Sequence, residues 1–128
     1  MKIKPTDSEL EILNILWQKG AGTVREVHEA LMHKEAGYTT TLKLMQIMLE
    51  KEMLSRDSSS KTHIYKPAIT REQTQGQLLK RMIDTVFNGS AKQLVLQALG
   101  NGSSSQEELK EIKDYLAAME KAQQTKKH

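Results

Sequence analysis

Four polar side chains in the middle of the chain are spaced so that they would share one face of a helix. They are Thr39, Lys43, Gln46 and Glu50, at intervals of four, three and four residues. These intervals follow the helical repeat. The face offers hydroxyl, ammonium, amide and carboxylate groups, which suit base edges and phosphates in a DNA major groove. The alternative is the solvated side of an ordinary surface helix.

Other patterns that could carry chemistry fail on spacing or composition. His28 and His33 resemble zinc-protease ligands, but they are five residues apart instead of four, so on a helix they diverge by about 140°. The chain has no cysteine, which excludes disulfides and thiolate metal sites. No glycine-rich phosphate loop, nucleophile elbow or paired-carboxylate motif occurs. We therefore expect no catalytic residues, no metal, no cofactor and no enzyme activity.

The helix that carries the polar face is predicted over residues 39–54, because neither Gly nor Pro interrupts this stretch. Its other face should pack inward, since apolar or small residues recur there at the helical repeat. That inward face comprises Thr41, Leu44, Met45, Met48 and Leu49.

Two capped helices are predicted before it. Thr6 with Glu9, and Thr23 with Glu26, have the spacing of a capping box. The first helix ends at Gly20, and the second runs to about Met32. Their predicted buried residues are Leu10, Ile12, Leu13, Leu16 and Trp17 in the first, and Val24, Val27 and Leu31 in the second. The polar segment 33–38 is then a turn, so the second and third helices form a helix-turn-helix pattern.

A β-hairpin is predicted directly after the third helix. Residues 54–57 form its first strand, and residues 62–66, which alternate and are rich in β-branched and aromatic types, form the second. Pro67 closes the second strand. A hairpin in this position is the wing of a winged helix. Arg56 at its base and Lys61 at its tip are candidate phosphate contacts, with simple solvation of both charges as the alternative.

From residue 72 onward the sequence predicts three helices that are strongly apolar on one side. A segment of about 50 residues buries too little surface to be stable alone, so it either packs on the first domain or pairs with a second copy. Pairing is favoured, because a protein that reads a two-fold operator needs two-fold symmetry. The predicted dimerisation residues are Leu79, Met82, Val86, Phe87, Leu94, Val95, Leu109, Ile112, Leu116 and Met119.

The predicted fold is mainly α with a small β-hairpin wing. It divides into a winged helix-turn-helix DNA-binding domain (1–71), a helical dimerisation region (72–122) and a frayed basic tail (123–128). The net charge of +3 is mild for a nucleic-acid-binding protein. No apolar run has the length of a membrane span or the character of a signal peptide, so we expect a cytoplasmic protein without membrane insertion.

The order of these motifs resembles the penicillinase-repressor (BlaI/MecI/CopY) family of bacterial transcriptional regulators. The resemblance covers about residues 6–119 and is carried by Thr-Val-Arg-Glu from residue 23, Tyr-Thr-Thr-Thr-Leu from 38, Lys-Thr-His-Ile-Tyr from 61 and Ser-Ala-Lys-Gln-Leu-Val-Leu-Gln-Ala-Leu from 90. It implies a homodimer that represses transcription at an inverted-repeat operator. It also implies that Thr39, Thr40, Lys43 and Gln46 face the groove.

Three departures from the family pattern concern the helix end and the inducing signal. Better-known members have Lys-Gly where this chain has Lys51-Glu52. Some β-lactam-responsive members are cleaved at an Asn-Phe bond where this chain reads Gln97-Ala98. Copper-responsive members carry a C-terminal cysteine cluster, which is absent here.

The expected partners are double-stranded operator DNA, a second copy of the chain and, by the resemblance, a membrane-bound sensor protease. Two alternatives to a repressor stay open. One is a winged-helix protein-interaction module with incidental DNA affinity, which the mild net charge favours. The other is a one-component sensor with a small ligand between its two halves.

Overall fold

A computed structural model describes residues 4–32, 37–102 and 104–126 of the chain. The chain divides into two compact units, one ending at Met82 and the other beginning at Ile83. The division falls inside a helix, α4 (Arg71–Thr85). The sequence predicts the domain boundary earlier, between residues 71 and 72, which is at the start of α4.

Three helices and a hairpin precede α4 among the described residues. They are α1 (Asp7–Lys19), α2 (Val24–Ala30), α3 (Tyr38–Glu50), β1 (Leu54–Asp57) and β2 (Ile64–Pro67). The two strands pair antiparallel, with Arg56 opposite Tyr65. A helix-turn-helix followed by a hairpin is the order of a winged helix, so the predicted fold class is confirmed.

Both predicted capping boxes are present. The Glu9 amide donates to the Thr6 hydroxyl at 3.2 Å and the Thr6 amide donates to the Glu9 carboxylate at 2.8 Å. Thr23 and Glu26 repeat the arrangement at 3.1 and 2.8 Å. Because a capping box satisfies backbone donors within one turn, it can be read directly from sequence.

The predicted end of α2 is wrong by two residues. The helix stops at Ala30, and Leu31 takes an extended conformation with ψ 137°. This conformation lets Leu31 pack against the core. Of the turn predicted over residues 33–38, residues 33–36 lie outside the described residues, and Tyr38 is the first residue of α3.

The predicted end of α3 is also wrong, because the helix stops at Glu50 and not at Leu54. Glu52 has a positive φ of 64°. The amides of Glu52 and Met53 donate to the carbonyls of Leu49 and Met48 at 3.1 and 2.9 Å. This is a Schellman motif, which satisfies the last helical carbonyls and redirects the chain into β1.

The core of the first unit lies between α1, α2, α3 and the hairpin. On α3, Thr41, Met45 and Met48 are buried and Leu44 and Leu49 are half-buried, so the predicted inward face is confirmed. The other buried apolar residues are Ile12, Leu13, Leu16, Val24, Val27, Met53, Leu54 and Tyr65.

The second strand begins at Ile64, later than the predicted Thr62. The residues before Ile64 form hydrogen bonds within the loop. The Ser59 amide donates to the Asp57 carboxylate at 2.9 Å, and the Ser60 hydroxyl donates to the Thr62 carbonyl at 2.7 Å. Pro67 is the last residue of the strand.

The hairpin is attached to the turn between α1 and α2. The amide of Gly22 donates to the Tyr65 carbonyl at 3.0 Å, and the Tyr65 amide donates to the Gly22 carbonyl at 2.8 Å. The Tyr65 side chain is buried whereas its neighbours Ile64 and Lys66 are exposed, which is the alternation of a strand with one face on a core. This attachment fixes the base of the wing.

Trp17 packs against the core from α1, as predicted. Its indole N–H donates to the carbonyl of Ile69 at 2.9 Å. The Arg71 guanidinium lies 5.7 Å from the centroid of its ring. Trp17 therefore connects α1 to the segment that leads from the hairpin into α4.

Beyond α4 the described helices are α5 (Ala91–Gly100) and α6 (Gln106–Lys126). The Ser90 hydroxyl accepts from the Gln93 amide at 3.1 Å. Ser105 and Glu108 form a third capping box, with both bonds at 3.1 Å. Both helices therefore begin with a side-chain cap.

Val86 and Phe87, which are predicted dimerisation residues, lie beyond the end of α4, in a turn that also contains Asn88 and Gly89, both with positive φ. The predicted tail is wrong over its first four residues. Residues 123–126 continue α6 instead of forming a tail, since Gln and Lys are good helix formers and no Gly or Pro intervenes. Residues 127 and 128 lie outside the described residues.

The apolar faces of α5 and α6 are not buried within a single chain. Over their described residues every apolar side chain is exposed or half-buried. The exposed fraction is 44% for Val95, 49% for Leu116 and 45% for Met119. Among the described residues, no helix combines the length and the apolar character needed to cross a membrane.

Candidate nucleic-acid interface

The polar face of α3 is exposed along its whole length. Thr39, Lys43, Gln46 and Glu50 are all solvent-exposed, while the opposite face of the helix packs into the core. Thr40 is also exposed. The helix therefore presents its hydrogen-bonding side chains outward from a rigid support.

A partly buried ion pair holds the C-terminal end of α3 against α1. Glu9 is only 1% exposed, and its carboxylate accepts from the Lys51 ammonium at 3.0 Å. Burial raises the pKa of Glu9, but hydrogen bonds from the Thr6 amide and from Lys51 outweigh burial, so the pKa is lowered. The carboxylate stays charged at neutral pH and keeps Lys51 in place.

The N-terminal end of α3 is held by α2. Nδ1 of His28 lies 2.8 Å from the buried hydroxyl of Thr41. The His28 ring meets the ring of Tyr38 edge-on, with centroids 6.1 Å apart and planes at 83°. The Arg25 guanidinium lies 5.0 Å from the centroid of the same tyrosine ring.

A groove of ≈ 570 Å³ lies between the helix-turn-helix and the hairpin, and we call it the wing groove. Its charged and hydrogen-bonding side chains include Arg25, Tyr38, Gln46, Arg56, Lys61 and His63. Among the described residues that line the wing groove, none is acidic. The groove can therefore accept a chain of negative charges without repulsion from its own walls.

The predicted site residues fall into three sets. Gln46, Arg56 and Lys61 meet at the wing groove, although they come from three different segments of the sequence. Thr39 and Lys43 are exposed on α3 but do not line this groove. Thr40 lines a separate depression next to Asp7 and Glu11, where two carboxylates disfavour an approaching phosphate.

The only acidic side chain in the hairpin shapes its turn. The Asp57 carboxylate accepts from the Ser59 amide, and this hydrogen bond lowers the pKa of Asp57. The lowered pKa keeps Asp57 charged at neutral pH, but Asp57 does not line the wing groove.

Several residues of the wing groove are not among the predicted site residues, including Arg25, Tyr38 and His63. Arg25 is inside a capping-box motif, and Tyr38 falls in the segment predicted to be a turn. Neither spacing nor composition links them, because the link is the packing of α2 and the hairpin on either side of α3. Among the described residues, no group of His, Asp or Glu side chains is placed to hold a metal ion.

An exposed polar helix on a helix-turn-helix, with a basic hairpin beside it, defines a winged-helix DNA-binding protein. A sequence profile described as "Penicillinase repressor" matches residues 5–118. The chain therefore belongs to the penicillinase-repressor family, a family of DNA-binding transcriptional repressors. The resemblance predicted from the motifs is confirmed.

Individual relatives cover most of the chain at modest identity. The penicillinase repressor of Staphylococcus aureus is 26% identical over 110 residues, covering 85% of this chain and 87% of that protein. The methicillin resistance regulatory protein MecI of Staphylococcus aureus (strain N315) is 24% identical over 112 residues, covering 87% and 91%. The penicillinase repressor of Bacillus licheniformis is 23% identical over 108 residues, covering 84% of each.

Two solved structures also align with the chain. A structure of the CopR repressor is 24% identical and covers 52% of this chain and 96% of its own, with a TM-score of 0.44. A Lactococcus lactis ZitR variant is 17% identical and covers 95% of this chain and 77% of its own, with a TM-score of 0.46.

Proposed function

We propose that this protein is a transcriptional repressor that binds an inverted-repeat operator as a homodimer. The observation that carries the proposal is the division of α3 into two faces. One face is buried in the core and the other presents Thr39, Lys43, Gln46 and Glu50 to solvent. Because both ends of the helix are held by side-chain contacts, the exposed face can enter a major groove without reordering.

Each exposed side chain on α3 has a chemical role in this proposal. Lys43 can donate to the guanine O6 and N7 acceptors, and Gln46 can pair with the N6 and N7 edge of adenine. Thr39 at the first turn contacts a phosphate, and Thr40 is expected to do the same less effectively because of the nearby carboxylates. Arg56 and Lys61 bind phosphates beside the major groove of the DNA.

Glu50 restricts where the helix can lie. A carboxylate on the same face repels phosphates, unless it accepts a hydrogen bond from a cytosine amino group. We therefore expect Glu50 either to read a cytosine or to lie beyond the edge of the DNA. In both cases Glu50 disfavours incorrect positions of α3 along the DNA more than it adds to the affinity for DNA.

The dimer is proposed to form through α5 and α6, whose apolar faces remain uncovered in one chain. The apolar faces of these two helices include the exposed side chains of Val95, Leu116 and Met119. The helices gain stability when a second copy of the chain covers these side chains. Two-fold pairing would place two copies of α3 at successive half-sites, about 34 Å apart or a multiple of one turn.

The proposed site of action is the cytoplasm, where the operator is accessible. A membrane-bound sensor protease is a proposed regulatory partner, by analogy with the family. The stretch Gln97-Ala98 lies in α5 and is exposed in one chain. Cleavage after an asparagine is not available there, so a regulating protease must recognise a different bond.

Gel-shift analysis of genomic fragments tests the repressor function. The full-length protein at physiological salt is expected to retain a small set of fragments in the presence of excess competitor DNA. Retention of no fragment over competitor would remove the repressor proposal and support the alternative, a protein-interaction module. The retained fragments should share a two-fold symmetric sequence.

Lys43→Ala separates base reading from general charge attraction. If Lys43 reads guanine, the substitution costs about 1–3 kcal/mol of binding free energy and relaxes the preference at one base pair. Lys121→Ala is the matched control, because Lys121 is an exposed lysine on the side of α6 away from its apolar face. A loss that is equal on all sequences would identify Lys43 as a phosphate contact.

A further inference from the structure

Arg25 is held in place before any ligand binds. Its guanidinium lies 5.0 Å from the centroid of the Tyr38 ring, a cation–π contact that favours a guanidinium over an ammonium. The donors at the edge of a stacked guanidinium remain available for a planar or tetrahedral anion. This contact lowers part of the side-chain ordering cost that normally opposes binding by an arginine.

The tyrosine platform is itself braced from the core. Tyr38 meets His28 edge-on at 6.1 Å, and Nδ1 of His28 lies 2.8 Å from the Thr41 hydroxyl. Thr41 is 3% exposed. The chain of contacts from Thr41 to Arg25 therefore favours one direction of the arginine side chain.

The surroundings of Arg25 identify the chemistry of its ligand. Arg25 lines the wing groove together with Arg56 and Lys61, and the lining residues that the structure describes include no carboxylate. The whole chain carries 16 acidic residues and 19 basic ones. The excess of basic over acidic side chains in the wing groove is therefore a local feature, because the chain as a whole is nearly balanced in charge. Cations on both walls of a groove suit a linear polyanion better than a single small anion.

We propose that the wing groove takes the sugar–phosphate backbone of one DNA strand, and that Arg25 binds a phosphate there. This inference rests on the proposed function and deepens it. Tyr38 acts as a positioning residue, which holds the Arg25 guanidinium toward the backbone. Arg56 and Lys61 contact the same strand from the hairpin side.

Arg25→Ala tests the phosphate contact. The salt dependence of binding to a duplex of random sequence reports phosphate contacts alone. Loss of one contact per protomer should lower the slope of log K against log salt by about 0.9 for each protomer bound. An unchanged slope would overturn the inference.

Arg71→Ala is the matched control for this test. It removes another guanidinium that lies over an aromatic ring, that of Trp17 at 5.7 Å, but Arg71 does not line the wing groove. Its salt slope should equal that of the wild type. A fall equal to that of Arg25→Ala would show that any lost positive charge has the same effect, and would overturn the assignment to Arg25.

The positioning role of Tyr38 is tested by a double-mutant cycle. Tyr38→Phe keeps the aromatic face and should leave the affinity for the random duplex unchanged, whereas Tyr38→Leu should weaken it. In the Arg25→Ala background, Tyr38→Leu should have no further effect, because the residue it positions is gone. Additive losses would overturn the positioning role. Thermal unfolding by circular dichroism identifies any variant that fails to fold.

Failure of this inference can be distinguished from failure of the proposed function. If wild type prefers specific fragments and Lys43→Ala weakens that preference, an unchanged slope for Arg25→Ala removes only the phosphate site. If wild type prefers no fragment, a lower slope for Arg25→Ala keeps the phosphate site and removes the repressor. A changed preference at one base pair with an unchanged slope would make Arg25 a base contact and overturn the inference.

Discussion

Glu52 adopts a backbone conformation that glycine adopts at lower cost. Its φ of 64° lies in the left-handed region, which is unfavourable for a side chain with a Cβ. Glu52→Gly should raise the free energy of unfolding by about 0.5–1 kcal/mol, since relief of backbone strain exceeds the entropy that glycine gains in the unfolded chain. Urea denaturation followed by circular dichroism measures the change.

Glu52→Gln is the control for that prediction. Glutamine removes the same charge but keeps the Cβ, so its free energy of unfolding should stay within about 0.5 kcal/mol of wild type. An equal gain from both substitutions would attribute the effect to lost charge repulsion and contradict the backbone explanation. The position is also the one at which the sequence departs from the Lys-Gly of better-known relatives.

Glu9 should make stability fall in acid. Because its pKa is lowered from 4.5 in the folded chain, its contribution to stability is fully present above about pH 4.5 and is lost as the pH falls through the folded pKa. Glu9→Gln keeps a capping side chain but cannot ionise. Its unfolding free energy should therefore depend less on pH below 4.5 than that of wild type, as measured by urea titrations at several pH values. Parallel pH profiles would contradict this role.

At the scale of elements, the attachment of the hairpin depends on one face of β2. Tyr65 is 1% exposed and Ile64 is 37% exposed. Tyr65→Ala should lower the free energy of unfolding by about 3–5 kcal/mol, since it empties a site in the core. The adjacent Ile64→Ala should cost less than about 1 kcal/mol. Similar midpoints in urea for the two variants would show that the hairpin does not pack as described.

Helix starts were predictable from sequence and helix ends were less so. Thr6–Glu9, Thr23–Glu26 and Ser105–Glu108 close their hydrogen bonds within one turn, so local spacing determines them. The end of α3 depends on Glu52, whose residue type gives no sign of a positive φ. The end of α2 depends on the packing of Leu31, which is a tertiary effect.

The site was predictable where it lies on one helix and not where it joins several elements. The exposed face of α3 follows from its periodicity alone. The Glu9–Lys51 ion pair and the wing groove with Arg25 and Tyr38 bring together distant segments. Only the packing of α1, α2 and the hairpin around α3 reveals them.

At the scale of the whole molecule, the proposed dimer depends on the apolar face of α6. Leu116→Glu should convert the protein from dimer to monomer, because it places a carboxylate in the proposed interface. Ala118→Glu is the matched control, since Ala118 is exposed on the opposite side of the same helix. Sedimentation equilibrium distinguishes the two, and helical circular dichroism confirms that α6 still forms. A wild-type protein that sediments as a single chain at micromolar concentration would contradict the dimer.

Trp17 gives the protein a built-in optical signal. The sequence contains a single tryptophan, and its indole N–H binds the Ile69 carbonyl while the Arg71 guanidinium lies over its ring. The fluorescence of an indole ring responds both to its hydrogen bond and to a charge close to the ring. Any inducer that pulls the start of α4 away from α1 will therefore change the fluorescence of the unlabelled protein, and induction can be followed in real time without a dye.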